Sequence, residues 1–191
     1  PTSLPSTLTL PAIAGTDIWS VPSPNPEQHF SAPFACITIP IRSFRRICVT
    51  VSADFDTNTQ QGGLLFVLPP LHGTNPADAG RRWVTATLEY EHSRMNASVV
   101  SCERWSDWSL HALPNDNIKE VTLQMYRKQD PDGSLGSRLV VSMLRDGEWR
   151  IIREILWAFE EDSGEAWVGV LANQAMDDTG KDAKTVCFTD L

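Results

Sequence analysis

From Ile47 onward, apolar and polar residues alternate in short runs. Within Ile47–Phe55, Ile47, Val49, Val51, Ala53 and Phe55 fall on one side of an extended chain, and Cys48, Thr50, Ser52 and Asp54 on the other. A period of two marks a strand with one buried face. Trp83–Tyr90 repeats the pattern, with Val84, Ala86, Leu88 and Tyr90 toward the core and Trp83, Thr85, Thr87 and Glu89 away from it. Leu64–Leu68 is apolar throughout and short, which suits a strand buried on both faces, and Pro69-Pro70 ends it. Ala97–Arg104, Val121–Arg127, Leu139–Leu144, Trp149–Trp157, Trp167–Asn173 and Thr185–Leu191 are the further strand candidates. Between Leu139–Leu144 and Trp149–Trp157 stands Arg145-Asp146-Gly147-Glu148. Asp-Gly between two alternating runs predicts a tight hairpin, because glycine takes positive φ at little cost. His72–Gly80 reads as a polar loop, and Ser106–Leu113 is expected to hold one short turn.

Eight or more strands at this spacing, with little helical periodicity, predict an all-β fold of two antiparallel sheets packed face to face. A closed barrel satisfies the same alternation and is left open. The 191 residues suit one domain, and 41% hydrophobic residues fill a core that needs no staple. Residues 1–16 form an extended Pro/Ser/Thr-rich arm, and residues 17–191 the single domain. Seven prolines within residues 1–35 (Pro1, Pro5, Pro11, Pro22, Pro24, Pro26 and Pro33) keep that stretch irregular, since each removes a backbone donor. Asp17-Ile18-Trp19 reads as the anchor that pins it to the body.

A net charge of -8 argues against nucleic acid and against an anionic membrane surface, both of which need a basic face. No apolar run approaches the ~18 residues of a spanning helix, and Pro1–Pro11 does not resemble a signal peptide. A cytoplasmic rather than secreted location is expected. Cys36, Cys48, Cys102 and Cys187 form no close pair, so free buried thiols are favoured over disulfides and over zinc. Asn96-Ala97-Ser98 matches a glycosylation acceptor, which matters only in a secreted chain. No two of His29, His72, His92 and His111 stand close in sequence, and no phosphate-cradling, dinucleotide or nucleophile-elbow motif is present. No metal and no cofactor is expected. The acidic run Asp177–Asp182 lacks the EF-hand ligand pattern and reads as a solvated loop.

The most distinctive segment is Ser98-Val99-Val100-Ser101-Cys102-Glu103-Arg104-Trp105-Ser106-Asp107-Trp108-Ser109. A strand running into Trp-Ser-Asp-Trp-Ser resembles the "regulation of enolase protein 1"-like family of the concanavalin A-like lectin/glucanase superfamily. Phe55-Asp56 with Gln61-Gly62-Gly63-Leu64, Trp83-Val84 with Leu88-Glu89-Tyr90, and Arg153-Glu154-Ile155 with Val168-Gly169-Val170 resemble it in the same order, over residues 17–191. The resemblance implies a jelly-roll sandwich with one concave sheet and no particular reaction. Glycan-cleaving relatives in the superfamily carry Glu-x-Asp-x-Glu on one strand. Here Glu89-Tyr90-Glu91 is the nearest approach and Thr87 breaks the series, so no carboxyl pair for glycoside hydrolysis stands out.

The candidate site follows from the side of Trp83–Tyr90 that faces away from the core. Trp83, Thr85, Thr87 and Glu89 give a wet face an aromatic ring, two hydroxyls and a carboxylate, suited to a polar ligand. An ordinary solvent-facing strand gives the same stripe. Glu89 is the candidate acid or ligand-orienting group. Trp105 and Trp108 are candidates for stacking and Asp107 for holding hydroxyls, against a structural role in which Ser106 and Asp107 cap a turn. Gln61, beside Gly62-Gly63, is placed on the rim of a site, although a glycine pair before a strand also makes a plain turn. Arg104 is a candidate for an anionic group, with surface pairing as its bland counterpart. The expected function is recognition of a small-molecule or sugar-like ligand in the concave face. The alternatives are a cofactor-free isomerase, cyclase or lyase acting on a small secondary metabolite, and a structural or regulatory partner-binding protein. Homodimer formation is left open.

Overall fold

The computed structural model describes residues 3–22, 24, 26–71, 82–115, 117–177 and 182–191. The described residues form β1 (Thr7–Ala12), β2 (Ile18–Val21), β3 (Glu27–Phe30), β4 (Phe34–Pro40), β5 (Arg46–Ser52), β6 (Gln60–Leu68) and β7 (Arg82–Glu91). They continue with β8 (Arg94–Cys102), β9 (Ser106–Ala112), β10 (Glu120–Gln129), β11 (Leu135–Arg145), β12 (Glu148–Ile155), β13 (Glu165–Gln174) and β14 (Lys184–Thr189). One sheet has the order β1-β14-β5-β10-β11-β12 and the other β4-β13-β6-β7-β8-β9, while β2 and β3 pair only with each other. Strand neighbours in both large sheets are antiparallel, and the architecture is a jelly-roll sandwich.

The alternating runs bury the faces that the pattern predicts. Val49, Val51, Leu123, Met125, Val141 and Phe188 of the first sheet meet Leu64, Phe66, Val84, Ala86, Leu88 and Val170 of the second. Full burial of such a side chain stabilises by about 1.5–3 kcal/mol, so this layer dominates the fold's stability. Phe66 is stacked at 4.6 Å on Phe44 and lies 5.8 Å from Phe159. Leu64, Phe66 and Leu68 point into this core, while Leu65 and Val67 join a second apolar cluster on the sheet's other face. The continuous run Leu64–Leu68 is therefore buried on both sides.

The Arg145–Glu148 turn forms as predicted, with Asp146 and Gly147 at φ 55° and 77°. A second two-residue turn joins β7 to β8 through His92 and Ser93, at φ 54° and 60°. Three local expectations change. Ser106–Leu113 holds no turn: Ser106–Ala112 is strand β9, paired along β8 from Cys102↔Ser106 to Asn96↔Ala112. Gln61-Gly62-Gly63 lies inside β6 and is not a turn. The bend comes earlier, where Gln60 Oε1 accepts hydrogen bonds from the backbone N–H groups of Asp56 (2.9 Å) and Thr57 (3.1 Å). Gly63 is required because the neighbouring strand runs too close: an added Cβ would meet Thr87 Cα at 2.6 Å. Finally, the Pro-rich stretch 1–35 is not merely irregular, since β1 edges the first sheet against β14 and β2–β3 form a hairpin over the second.

All four cysteines are free, with Cys102 buried and the others half-buried. Asn96 is buried too, and its amide donates to the carbonyls of Glu91 and Arg94 (3.1 and 3.0 Å), tying down the β7–β8 turn. It is no surface acceptor for a glycan. No helix among the described residues is long and apolar enough to cross a membrane. The loop read at His72–Gly80 and most of the acidic run Asp177–Asp182 lie outside the described residues.

Candidate functional site

The face of the second sheet that points away from the core carries the alternate residues of β6, β7 and β8. One end of this face is covered by the β2–β3 hairpin. Ile18 and Ala32 pack there against Leu65, Val67, Trp83, Val100, Cys102 and Leu171. Polar links fasten the hairpin to the start of β9: Ser20 N–H donates to Ser106 Oγ (2.9 Å), and Ser20 Oγ–H to the Arg104 carbonyl (3.1 Å). The cover explains why the stripe expected to be wet is buried. Trp83, Thr85, Thr87 and Glu89 are only 2, 4, 1 and 4% exposed.

At the other end the cover stops, leaving a pocket of about 160 Å³. Asp17 and Trp19 form its hairpin side, Gln61 comes from β6, Glu89 and Glu91 from β7, and Trp108 from β9. Strand register assembles them: Gln61 pairs with Glu89 across β6–β7, Glu89 with Asn96 across β7–β8, and Trp108 with Val100 across β8–β9. Glu91 follows Glu89 by two residues and so shares its face. The Trp19 and Trp108 rings stand at 89° with centroids 6.2 Å apart, giving two perpendicular aromatic walls.

The polar groups are held in place. Trp108 Nε1–H donates to Ser98 Oγ (3.0 Å) and to Glu89 Oε2 (3.3 Å). Thr87 Oγ1–H donates to Gln61 Oε1 (3.1 Å). Asp17 Oδ1 accepts from Ile18 N–H (2.8 Å) and from Asn173 Nδ2–H (3.3 Å). Burial pushes the Glu89 carboxyl up to about 7, and the hydrogen bonds from Ser98 and Trp108 offset this only in part. The charges that act on it, Glu91 and Asp17, are negative and raise it further. Burial also raises Asp17, against the Ile18 N–H and the nearby His29. A carboxyl near neutrality in a half-dry pocket holds or releases a proton with little driving force.

The structure brings Gln61, Glu89 and Trp108 together at the pocket, with Thr87 one hydrogen bond behind Gln61. Trp83 and Thr85 lie under the hairpin cover instead. Arg104 is exposed, its guanidinium over the Trp105 ring at 5.3 Å. Asp107 points to the opposite side of β9 from Trp108 and pairs with Arg153 of β12. It lies inside β9, past the Glu103–Trp105 bend, and its carboxylate binds Arg153 and not a turn backbone. His92 is exposed and lies 3.7 Å from Glu91. Asp17, Trp19 and Glu91 were not among the expected site residues. The signal for the first two was the anchor Asp17-Ile18-Trp19, and for Glu91 the continuing period of two beyond Glu89.

Trp108 is 40% exposed. Trp108→Ala is therefore expected to cost about 1–2 kcal/mol in urea denaturation, well below the 3–5 kcal/mol of a fully buried aromatic. Trp108→Phe keeps an aromatic ring but removes the N–H that favours the Glu89 carboxylate. The Glu89 titration, followed by carboxyl NMR, should move upward in that variant. A downward move would mean that the indole N–H does not stabilise the charged form.

An uncharacterized protein of Emericella nidulans is 37% identical over 170 residues, spanning 88% of this chain and 78% of its own. Among solved structures, a functionally unknown protein from Saccharomyces cerevisiae superposes with a TM-score of 0.73 at 18% identity, over 97% of this chain and 85% of that one. A Bacteroides ovatus structure described as xyloglucan PUL GH43B superposes with a TM-score of 0.53 at 12% identity, over 100% of this chain but 34% of its own. At such identities the likeness shows a shared fold. The family described as "Protein of unknown function (DUF1349)" matches residues 2–190, and the chain belongs to that family.

Proposed function

We propose that the protein recognises a small molecule in the pocket between the β2–β3 hairpin and the second sheet. One observation carries this reading: Glu89 is 4% exposed, and the charges acting on it are both negative. Burying a carboxylate without a cation is unfavourable, and a purely structural position would hold an amide or an apolar residue at lower cost. Groups kept in such positions concentrate at functional sites. The perpendicular indoles supply apolar surface, and Gln61 and the carboxylates supply orientation. Kinship with the "regulation of enolase protein 1"-like group, carried by Trp105-Ser106-Asp107-Trp108-Ser109, is part of the same proposal. Four free thiols are consistent with a reducing compartment and support a cytoplasmic location.

The test is a thermal-shift screen of glycans and small polar metabolites, followed by NMR mapping of each hit on the indole N–H signals of Trp19 and Trp108. Hits that perturb both indoles and weaken in Glu89→Gln support the reading. Hits that map elsewhere and ignore Glu89 and Trp108 sink it.

A second reading, a cofactor-free isomerase, cyclase or lyase, draws on the Glu89 carboxyl near 7, where one group both accepts and returns a proton at neutral pH. Mass detection of an altered product in the same screen, lost in Glu89→Gln, separates catalysis from binding.

A further inference from the structure

The pocket is acidic, and its donors, the Gln61 amide, the Thr59 hydroxyl and the two indole N–H groups, carry no charge. Of the side chains that line it, Asp17, Glu89 and Glu91 bear carboxylates, and no lysine, arginine or histidine is among the described lining residues. The Trp108 N–H is already engaged with Ser98 and Glu89. Gln61 Oε1 already accepts from Thr87. Beside the pocket, Asn173 donates to Asp17, and its buried Oδ1 has no hydrogen-bond partner. Two indoles complete the walls, and an aromatic face attracts a cation within about 6 Å.

Resting on the reading that this pocket is the ligand site, we infer that it selects an organic ammonium group, a protonated amine on a small apolar or hydroxylated framework, over neutral and anionic molecules. An anion meets three carboxylates and no counter-charge. A neutral hydroxyl satisfies an acceptor but leaves the buried charge of Glu89 uncompensated, whereas an ammonium group supplies both N–H donors and the missing positive charge. A compact metal ion is a poorer fit, since no three metal-type ligands come together among the described residues. The size agrees: about 160 Å³ is close to the ~150 Å³ of cavities that take a benzene-sized molecule. One headgroup fills it. The net charge of -8 also draws cations toward the surface.

The charged groups around Glu89 are few. Asp17 faces it from the hairpin side with His29 behind, and Glu91 from its own strand with the exposed His92 3.7 Å from that carboxylate. Arg94 stands across from Glu91 but donates to the Leu113 carbonyl and does not line the pocket. The strands β6, β8 and β9 bring Gln61, Ser98 and Trp108, none of them charged. A cation binds the deprotonated form of Glu89, so binding releases a proton. With Glu89 near 7, affinity for a permanently charged amine should rise about tenfold from about pH 6 to about pH 8.

The experiment titrates three matched four-carbon probes, butylamine, butanol and butyrate, against the Trp19 and Trp108 indole N–H signals. Butylamine, whose amine stays protonated below a pKa of about 10, is expected to saturate both signals at least about tenfold more tightly than the other two. Glu89→Gln should reduce its affinity about tenfold at the higher pH and flatten the pH dependence, and Asp17→Asn provides a second variant should the first perturb the pocket. Butanol binding as well as butylamine overturns the charge selection and leaves the pocket as a ligand site. So does a neutral glycan that perturbs both indoles when butylamine does not. If no probe and no glycan perturbs either indole, this inference and the ligand-site reading fall together.

Discussion

Replacing Gly63 with alanine is expected to lower stability by at least about 3 kcal/mol, at the top of the range for overpacking. An added Cβ collides with the backbone of the paired strand, Ala86 and Thr87, and an extended backbone has no rotamer to escape into. Relief requires β6 and β7 to separate, which weakens their ladder in the middle of the second sheet. Gly62→Ala is the control. Its Cβ meets only side-chain atoms of Val186, Cγ1 at 2.6 Å, so the loss should be clearly smaller. Urea denaturation of both variants decides the matter. Equal stability of Gly63→Ala and the parent chain would show that the two strands do not approach as closely as described. A loss confined to Gly63 also predicts weakened ligand binding, because Gln61 and Glu89 face each other two residues further along the same pair of strands.

The second large effect runs in the stabilising direction. Glu89 differs from the usual salt-bridged carboxylate because its folded-state pKa lies above its unfolded value, at about 7 against 4.5. Between those values the native state keeps a proton that the unfolded chain has released. Stability therefore falls as pH rises through that window and levels off above it. The gap corresponds to about 3 kcal/mol for a group this buried, at about 1.4 kcal/mol per tenfold change. Glu89→Gln removes the ionisation and leaves a carbonyl oxygen to accept from Trp108. The variant is expected to match the parent near pH 4 and to exceed it by roughly that amount near pH 8, measured as free energy of unfolding at each pH. If the variant is less stable at both, Glu89 is an ordinary structural carboxylate. Greater stability on removing the Glu89 carboxyl is the trade-off expected of a functional position.

Much of the fold was legible in residue periodicity, for an identifiable reason. Strands such as Ile47–Phe55 and Trp83–Tyr90 have one face on the main core, and a buried face leaves a period of two in the sequence. Strands without that contrast were invisible. β9 reads Ser-Asp-Trp-Ser-Leu-His-Ala, an edge strand with neither face fully buried, and its polar residues suggested a turn. β1 and the β2–β3 hairpin lie among prolines that are tolerated because these strands sit at an edge or outside the main sheets. The site was legible only where register alone determined it. Glu89 and Gln61 face each other because their strands are adjacent, and each was identifiable from its own strand. Asp17 and Trp19 reach them from a distant segment, and nothing in a local pattern says which face a hairpin will cover. That cover also changed the character of the stripe, from a wet surface to the buried wall of a small pocket.

The position of β14 has a consequence for the order of events during synthesis. It lies between β1 and β5, just as β13 lies between β4 and β6. The earliest strands of each sheet thus have no permanent neighbour until Glu165–Thr189 has left the ribosome. Until then β1 and β4 lack their only sheet neighbour and β5 and β6 each keep one open edge, and long-range pairing of this kind is slow. A nascent chain of this topology depends on being kept from sticking to others until β13 and β14 have emerged. The prolines that interrupt its first segment, poor partners for any foreign strand, lie where that protection is needed longest.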